Sequence, residues 1–169
     1  GNGDLFLAEI VLINGSNCVI NVLEKVDLGN STQSRLHIAI APTKNTNRLE
    51  WFLEKATEIG IAEVTPIICN RSERKTIKLD RLKKVIMSAM KQSQNVYLPK
   101  LNDQISFENF ILNNKKVIQN KFIANFNKNN PELHTQIKNK DQLLLLIGPE
   151  GDFSKIELDL AMENGFEGV

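Results

Sequence analysis

Two apolar rhythms run along this chain. Residues 5–13 and 17–26 are dense in Leu, Ile and Val on either side of Asn14-Gly15-Ser16. Asn-Gly between apolar runs is a strong hairpin signal, so two antiparallel strands are expected here. A lone hairpin is marginal in water, and this one is too small to fold without further partners. The polar stretch 29–34 then reads as a linker.

Beyond the linker, short apolar runs alternate with helical stripes. Residues 36–41 suit a strand. Asn47 and Glu50 suit a helix start, with Leu49, Phe52, Leu53, Ala56 and Ile59 on one face and Gly60 as the stop. Residues 64–69 form the next strand, where Pro66 points to an irregular or edge position. Leu82, Val85, Ile86 and Ala89 mark the buried stripe of a helix over 79–93. A third helix is expected over 107–112 and a strand over 121–125. Leu143–Ile147 is an uninterrupted apolar run, the pattern of a strand buried on both faces.

That run stops at Gly148-Pro149-Glu150-Gly151, and a well-marked helix begins at once. Ser154 and Glu157 make a capping box, Phe153 and Leu158 its hydrophobic staple, and Gly165 stands where a C-terminal glycine belongs. The alternation predicts a parallel-sheet α/β domain. The Gly-Pro-Glu-Gly loop therefore falls at the carboxyl end of a central strand, where open α/β sheets place their ligands. No internal repeat interrupts the pattern.

Length and composition narrow the class. A chain of 169 residues holds one α/β domain with a small appendage. No apolar run approaches the roughly 20 residues of a membrane helix, and GNGDLF is no signal peptide. Cys18 and Cys69 stand far apart without metal-ligand spacing, which fits a reducing cytoplasm and no metal site. A net charge of +1 excludes a globally basic nucleic-acid binder, yet Arg71, Arg74, Lys75, Lys78, Arg81, Lys83 and Lys84 face only Glu73 and Asp80 in their segment. Two readings of that segment stand, a solvated face or a phosphate-contacting surface.

Standard catalytic signatures are missing. GxGxxG, the P-loop and GxSxG do not occur, and His37 and His134 sit in contexts that suit structural roles. The Gly-Pro-Glu-Gly loop is either a tight turn or a ligand wall with Glu150 as an acceptor. Arg71-Ser72-Glu73-Arg74 follows a strand and so shares the loop's side of the sheet. Lys91, Gln92, Ser93, Gln94 and Asn95 carry donors for phosphate or base edges. Together, on one side of a sheet with the loop, these segments favour a charged or nucleic-acid substrate.

Three segments, in this order, form a wider pattern: KATEIGIAEVTPIICNRSERK, AMKQSQNVYLPKL and IGPEGDFSKIELDLAMENGF. They resemble the RsmE family, ribosomal small-subunit RNA methyltransferases acting on N3 of a uridine, over residues 36–169. The resemblance implies a SPOUT-type α/β sheet with a trefoil knot, S-adenosylmethionine as cofactor, a homodimer and a cytoplasmic location. Its domains would be residues 1–30, part of a PUA-like β-barrel, and 31–169, a methyltransferase domain whose knot is incomplete here, since the family's LGxRILRxETA segment would follow Val169. The implied cofactor residues are Ala124 and Asn125 in one loop, and Leu146, Ile147, Gly148, Pro149, Glu150 and Gly151 in a second. Arg71, Arg74, Lys91 and Gln92 would face RNA, the substrate being small-subunit ribosomal RNA or the assembled subunit. No proton-accepting base is identified; Glu150 fits loop shaping better than catalysis. The family has glycine where Asp152 stands and Gly-Arg where Gln94-Asn95 stands. The rival readings are a non-catalytic RNA-binding protein with the same fold and a related methyltransferase with another RNA target.

Overall fold

The computed structural model of the chain describes residues 2–27, 34–114, 120–137 and 142–169. Most of the expected linker, residues 29–33, lies outside them. Strands β1 (Leu5–Asn14) and β2 (Asn17–Val26) form the expected antiparallel hairpin around Gly15, whose φ of 59° is open to glycine at no steric cost. Register shifts after Leu7 and after Ile10 bend it. Its apolar residues are exposed on both faces, including Phe6, Ile10, Ile20 and Leu23. The hairpin's base is tied to the body where the Gly3 N–H donates to the Val96 carbonyl at 3.0 Å.

The body is the parallel α/β sheet that the alternation predicts. Its strands are β3 (Leu36–Ile40), β4 (Glu63–Ile68), β5 (Lys100–Leu101), β6 (Ile105–Ser106), β7 (Asn120–Ala124), β8 (Leu143–Ile147) and β9 (Glu167–Gly168). They lie in the order β5-β4-β3-β8-β7-β9, with β6 also on β4, and every pairing is parallel. Side chains alternate between two cores, as a strand's period of two requires. Ile38, Ile40 and Val64 pack under helices α1 (Thr46–Ile59) and α2 (Leu79–Gln92), against Leu49, Leu53, Leu82 and Ile86. Ala39, Ile67, Leu144 and Leu146 face the other way, against Phe107, Phe110 and Ile111 of α3 (Phe107–Asn113) and Ala161 of α5 (Lys155–Glu163). A single turn, α4 (Leu133–Gln136), completes the elements.

Departures from the expected pattern are local and explicable. Helix α1 starts two residues early because the Asn45 side chain accepts the Asn47 N–H and caps it. Ile59, expected on the buried stripe, is 87% exposed. Thr57 is buried instead, its hydroxyl returned to the Leu53 carbonyl at 2.7 Å. Pro66 lies inside the sheet, but in the gap between the Glu63–Val64 partner β5 and the Ile67–Ile68 partner β6. A residue without an N–H is tolerated there because no ladder on that side needs it. The pieces β5, β6, β9 and α4 are too short to leave a periodic trace.

The topology singles out one place. From β3 the chain leaves through α1 towards β4, whereas from β8 it leaves through α5 towards β9 on the other flank. Strands β3 and β8 are neighbours, so their carboxyl ends form the switch point at which open α/β sheets bind ligands.

Candidate functional site

Four loops meet at that switch point, and side chains from one hold the main chain of another. Glu150, in the loop after β8, accepts the Lys44 N–H from the loop after β3 at 3.0 Å. Arg71, after β4, donates from Nη1 to the Gly151 carbonyl at 2.7 Å. Arg74 donates from Nη2 to the Lys44 carbonyl at 2.7 Å and from Nε to the Thr43 and Lys44 carbonyls. Glu157 closes the capping box on Ser154 with Oε2 and takes the Asn70 N–H on Oε1 at 2.7 Å. One buried carboxylate thus starts α5 and fixes the loop after β4.

Asp152 supplies the fourth link. Its Oδ2 accepts the Phe126 N–H at 3.2 Å from the loop after β7, and its Oδ1 accepts the Phe153 N–H at 2.7 Å. Its backbone is left-handed, with φ of 61°. Gln94, at φ of 55°, shares this conformation. These are the two positions where the family pattern has glycine. A left-handed backbone costs a non-glycine residue about 1 kcal/mol, which at Asp152 the two carboxylate bonds offset. Asn95, in place of the pattern's arginine, donates to the Thr57 carbonyl at 2.7 Å and caps the end of α1.

The expected cofactor residues come together here. Ala124 and Asn125 end β7 beside Ile147 of β8, and Gly148, Glu150 and Gly151 form the adjoining loop. Leu146 and Pro149 are buried, Leu146 in the ladder between β3 and β7 and Pro149 with its carbonyl accepting the Asp152 N–H at 2.9 Å. Phe126 stands 90% exposed on the rim. A Cβ on Gly148 would lie 3.0 Å from the Phe153 ring, whereas one on Gly151 would sit at an ordinary 3.5 Å from Arg71. The two glycines therefore do different work: Gly148 permits close packing, and Gly151 leaves the outer loop bare.

The expected RNA-facing residues separate into two places. Arg71 and Arg74 join the loop cluster. Lys91 and Gln92 do not, because α2 runs back against the strand direction and its fourteen residues carry them about 20 Å to the opposite end. The expectation that they share the loop's side of the sheet is corrected. They sit instead near the base of the hairpin, linked to them through Arg81, Lys84, Ser88 and Lys91, all exposed at a spacing of three, four and three on one face of α2.

Electrostatics favour binding over covalent chemistry. Burial pushes the Cys69 thiol up to about 12, with the Glu157 charge adding to the effect, so it stays protonated and inert. The Lys44 ammonium is raised by its hydrogen bond to Glu73 at 2.8 Å. Among the described residues no cluster of His, Cys, Asp and Glu could hold a metal ion. Sequence reasoning did not reach Asp152, Asn70 or the outer role of Glu157; each bonds across a distance in sequence that no local pattern encodes.

Comparisons with known proteins give the family and the fold. Residues 30–169 match the model of the RNA methyltransferase domain family. Ribosomal RNA small subunit methyltransferase E 2 of Borreliella burgdorferi is 30% identical, over 98% of this chain and 69% of that protein. The crystal structure of a probable rRNA-methyltransferase from Porphyromonas gingivalis is 34% identical, with a TM-score of 0.89 over 100% of this chain and 72% of that one. A ribosomal RNA small subunit methyltransferase E from Neisseria gonorrhoeae, solved with S-adenosyl methionine bound, shares the fold at 22% identity and a TM-score of 0.87, over 100% of this chain and 70% of that one. The chain spans 65% to 69% of the length of the first curated relatives it matches.

Proposed function

This chain belongs to the RsmE family of RNA methyltransferase domains, and we propose that it methylates N3 of a uridine in small-subunit ribosomal RNA using S-adenosylmethionine. The observation that carries this reading is the loop cluster at the β3/β8 switch point, where Glu150, Arg71 and Asp152 each hold the main chain of a neighbouring loop.

The donor set fits such a cofactor. Main chain of the loop 148–151, beside the end of β7 at Ala124-Asn125, is suited to the polar edge of an adenine. Ile147 and the exposed Phe126 offer apolar surface, and Gly151 leaves the outer loop uncovered. When bound, S-adenosylmethionine would supply an electrophilic methyl: the bond from uridine N3 to that carbon would form as the sulfur–carbon bond breaks, leaving S-adenosylhomocysteine, with the N3 proton passing to solvent. The contribution of this chain is orientation: loops locked by long-range bonds hold the reacting partners in line, and alignment is the largest saving available to such a transfer. Glu150 has one oxygen on the Lys44 N–H, so its role is to shape the loop. Arg71 and Arg74 act mainly as positioning residues for the same loops.

RNA would lie along α2, where Arg81, Lys84 and Lys91 give a basic stripe about 15 Å long. Lys91 and Gln92 then contact RNA near the hairpin, which we assign to a PUA-like barrel because its apolar faces find no cover among the described residues. The SPOUT-type knot is carried over from the family; Val169, whose N–H donates to the Ile123 carbonyl at 3.0 Å and whose carbonyl accepts the Asn125 N–H, extends the parallel ladder on β7 beside the first cofactor loop. A homodimer is supported by exposed Ile156 on α5 and Phe126 on the rim. The cytoplasm, where ribosomal subunits are assembled, is the matching location.

Calorimetric titration with S-adenosylmethionine tests the cofactor. Methylation of small subunits from a strain lacking the endogenous activity, with the modified base mapped, tests the reaction. Saturable binding and N3-methyluridine are expected. RNA binding without any cofactor binding would support the non-catalytic rival, and methylation at another base would reassign the target.

A further inference from the structure

Beside the loop cluster lies a hollow of about 380 Å³ that neither the fold nor the cofactor reading uses. Thr46 at the start of α1, Arg74 and Thr76 in the loop after β4, and Lys78 and Arg81 at the start of α2 line it. Three cations and two hydroxyls therefore surround a space larger than a phosphate group. Arg81 is held by Glu50 of α1, Nε to Oε1 at 2.6 Å and Nη2 to Oε2 at 2.8 Å. Arg74 is held by the carbonyls of Thr43 and Lys44. Counting the Glu50 charge against the three cations, the hollow keeps an excess of positive charge, with two of its guanidinium groups fixed in advance. Preorganised guanidinium groups beside a hydroxyl are well suited to phosphate oxygens.

Its position gives the hollow a partner. The Lys44 peptide separates it from the ligand loop, because that peptide's carbonyl takes Arg74 and its N–H goes to Glu150. On its other side begins the α2 stripe of Arg81, Lys84 and Lys91. We propose that this hollow is a seat for one backbone phosphate of the RNA, fixing the strand's register where the α2 stripe meets the cofactor loops. The proposal rests on the reading that the chain acts on RNA. A phosphate held here carries no sequence information itself but sets which base reaches the loops.

The test measures binding of a small-subunit ribosomal RNA transcript over a salt series, for the wild type, Lys78→Ala, Thr76→Ala and Lys83→Ala. Lys83 is exposed on the same helix but lies outside the hollow. Lys78→Ala is expected to weaken binding about three- to tenfold and to lower the salt slope by about 0.7, the loss of one phosphate contact. Thr76→Ala should weaken binding less and leave the slope alone, and Lys83→Ala should do little. All three should keep wild-type cofactor affinity. Equal effects from Lys78→Ala and Lys83→Ala would overturn the seat in favour of a diffuse positive field. Stabilisation of the wild type by inorganic phosphate, lost in Lys78→Ala while RNA binding is unchanged, would make it a free-anion site and overturn the RNA assignment. A wild type that binds no RNA would remove the proposed function along with the seat, whereas normal binding unaffected by Lys78→Ala removes the seat alone.

Discussion

The two ends of the sheet are held together by different kinds of bond. At the carboxyl end, charged side chains reach main-chain groups of distant loops: Arg71 to Gly151, Glu150 to Lys44, Asp152 to Phe126, Glu157 to Asn70. At the amino end, side chains bond to each other across strands. Buried His37 of β3 meets the Thr65 hydroxyl of β4 at 2.7 Å, and Asn102 donates to both Thr65 and Glu63 at 2.6 Å. Lys100 of β5 adds an ion pair to Glu63 at 3.0 Å. Buried polar networks of this second kind fix strand register and are costly to break. Bonds of the first kind fix loop shape while leaving the loops open to a ligand. Stability should therefore be concentrated at one end and binding at the other.

The strongest challenge to that division is Gly148→Val. The added carbons would press on the Phe153 ring, already 3.0 Å from an ideal Cβ. An overpacking cost of about 1–3 kcal/mol in the loop should weaken S-adenosylmethionine binding about 10- to 100-fold, read by calorimetry. Gly151→Ala, at an ordinary contact distance, should bind nearly as the wild type does. Equal losses at the two glycines would show that the loop acts through backbone freedom and not through packing.

At the other end, Asn102→Ala leaves Glu63 and Thr65 short of a donor. It should lower unfolding free energy by about 1–3 kcal/mol in urea titrations while cofactor affinity stays constant. A change in affinity would mean that the two ends are coupled through the sheet. Arg71→Ala tests the converse. It removes an exposed charged donor from the Gly151 carbonyl, so cofactor affinity should fall several-fold with stability changed by less than about 1 kcal/mol. Arg71→Lys should recover part of the loss.

The smallest effect concerns pH. Burial holds the His37 imidazole below its ordinary 6.5, against the pull of the Glu63 charge. Burial alone would raise Glu63, but hydrogen bonds from Asn102 and Lys100 outweigh it and hold the carboxyl below 4.5. Below 6.5 the unfolded chain takes up the His37 proton before the folded one does, so stability declines as the pH falls from 6.5 towards the folded value. A further decline should follow below 4.5, where protonation of Glu63 again favours the unfolded chain. Melting temperature across this range checks it; His37→Gln should remove the upper step and shrink the lower one slightly, since the imidazolium charge helps to hold the Glu63 carboxyl down.

Some of this molecule is legible in the sequence because the causes are local. Ser154 and Glu157 are three residues apart, so the capping box and the start of α5 could be placed to the residue. The run Leu143–Ile147 needed only its own apolarity to be read as an interior strand. The hairpin followed from Asn14-Gly15. The loop 148–151 was legible as a tight turn at the carboxyl end of that strand, from its glycines and proline and from its position. Lys91 was misplaced because helix direction depends on how α2 returns along the sheet, which spacing within the helix does not encode.

The sequence by itself determined the longer strands and helices, the cap of α5 and the position of the loop after β8, since each is set by interactions within a few residues. The left-handed turns at Gln94 and Asp152 were not legible in it, because neither residue type requires that conformation. Only the tertiary structure decided that β8 lies between β3 and β7, and hence that the loops after β3 and β8 meet. It also turned Arg71 and Arg74 onto main-chain carbonyls and gathered Arg74, Lys78 and Arg81 around one hollow. Those outcomes depend on strand order and on groups up to 106 residues apart in the chain, a separation at which the physics is contact in space and no local propensity reaches.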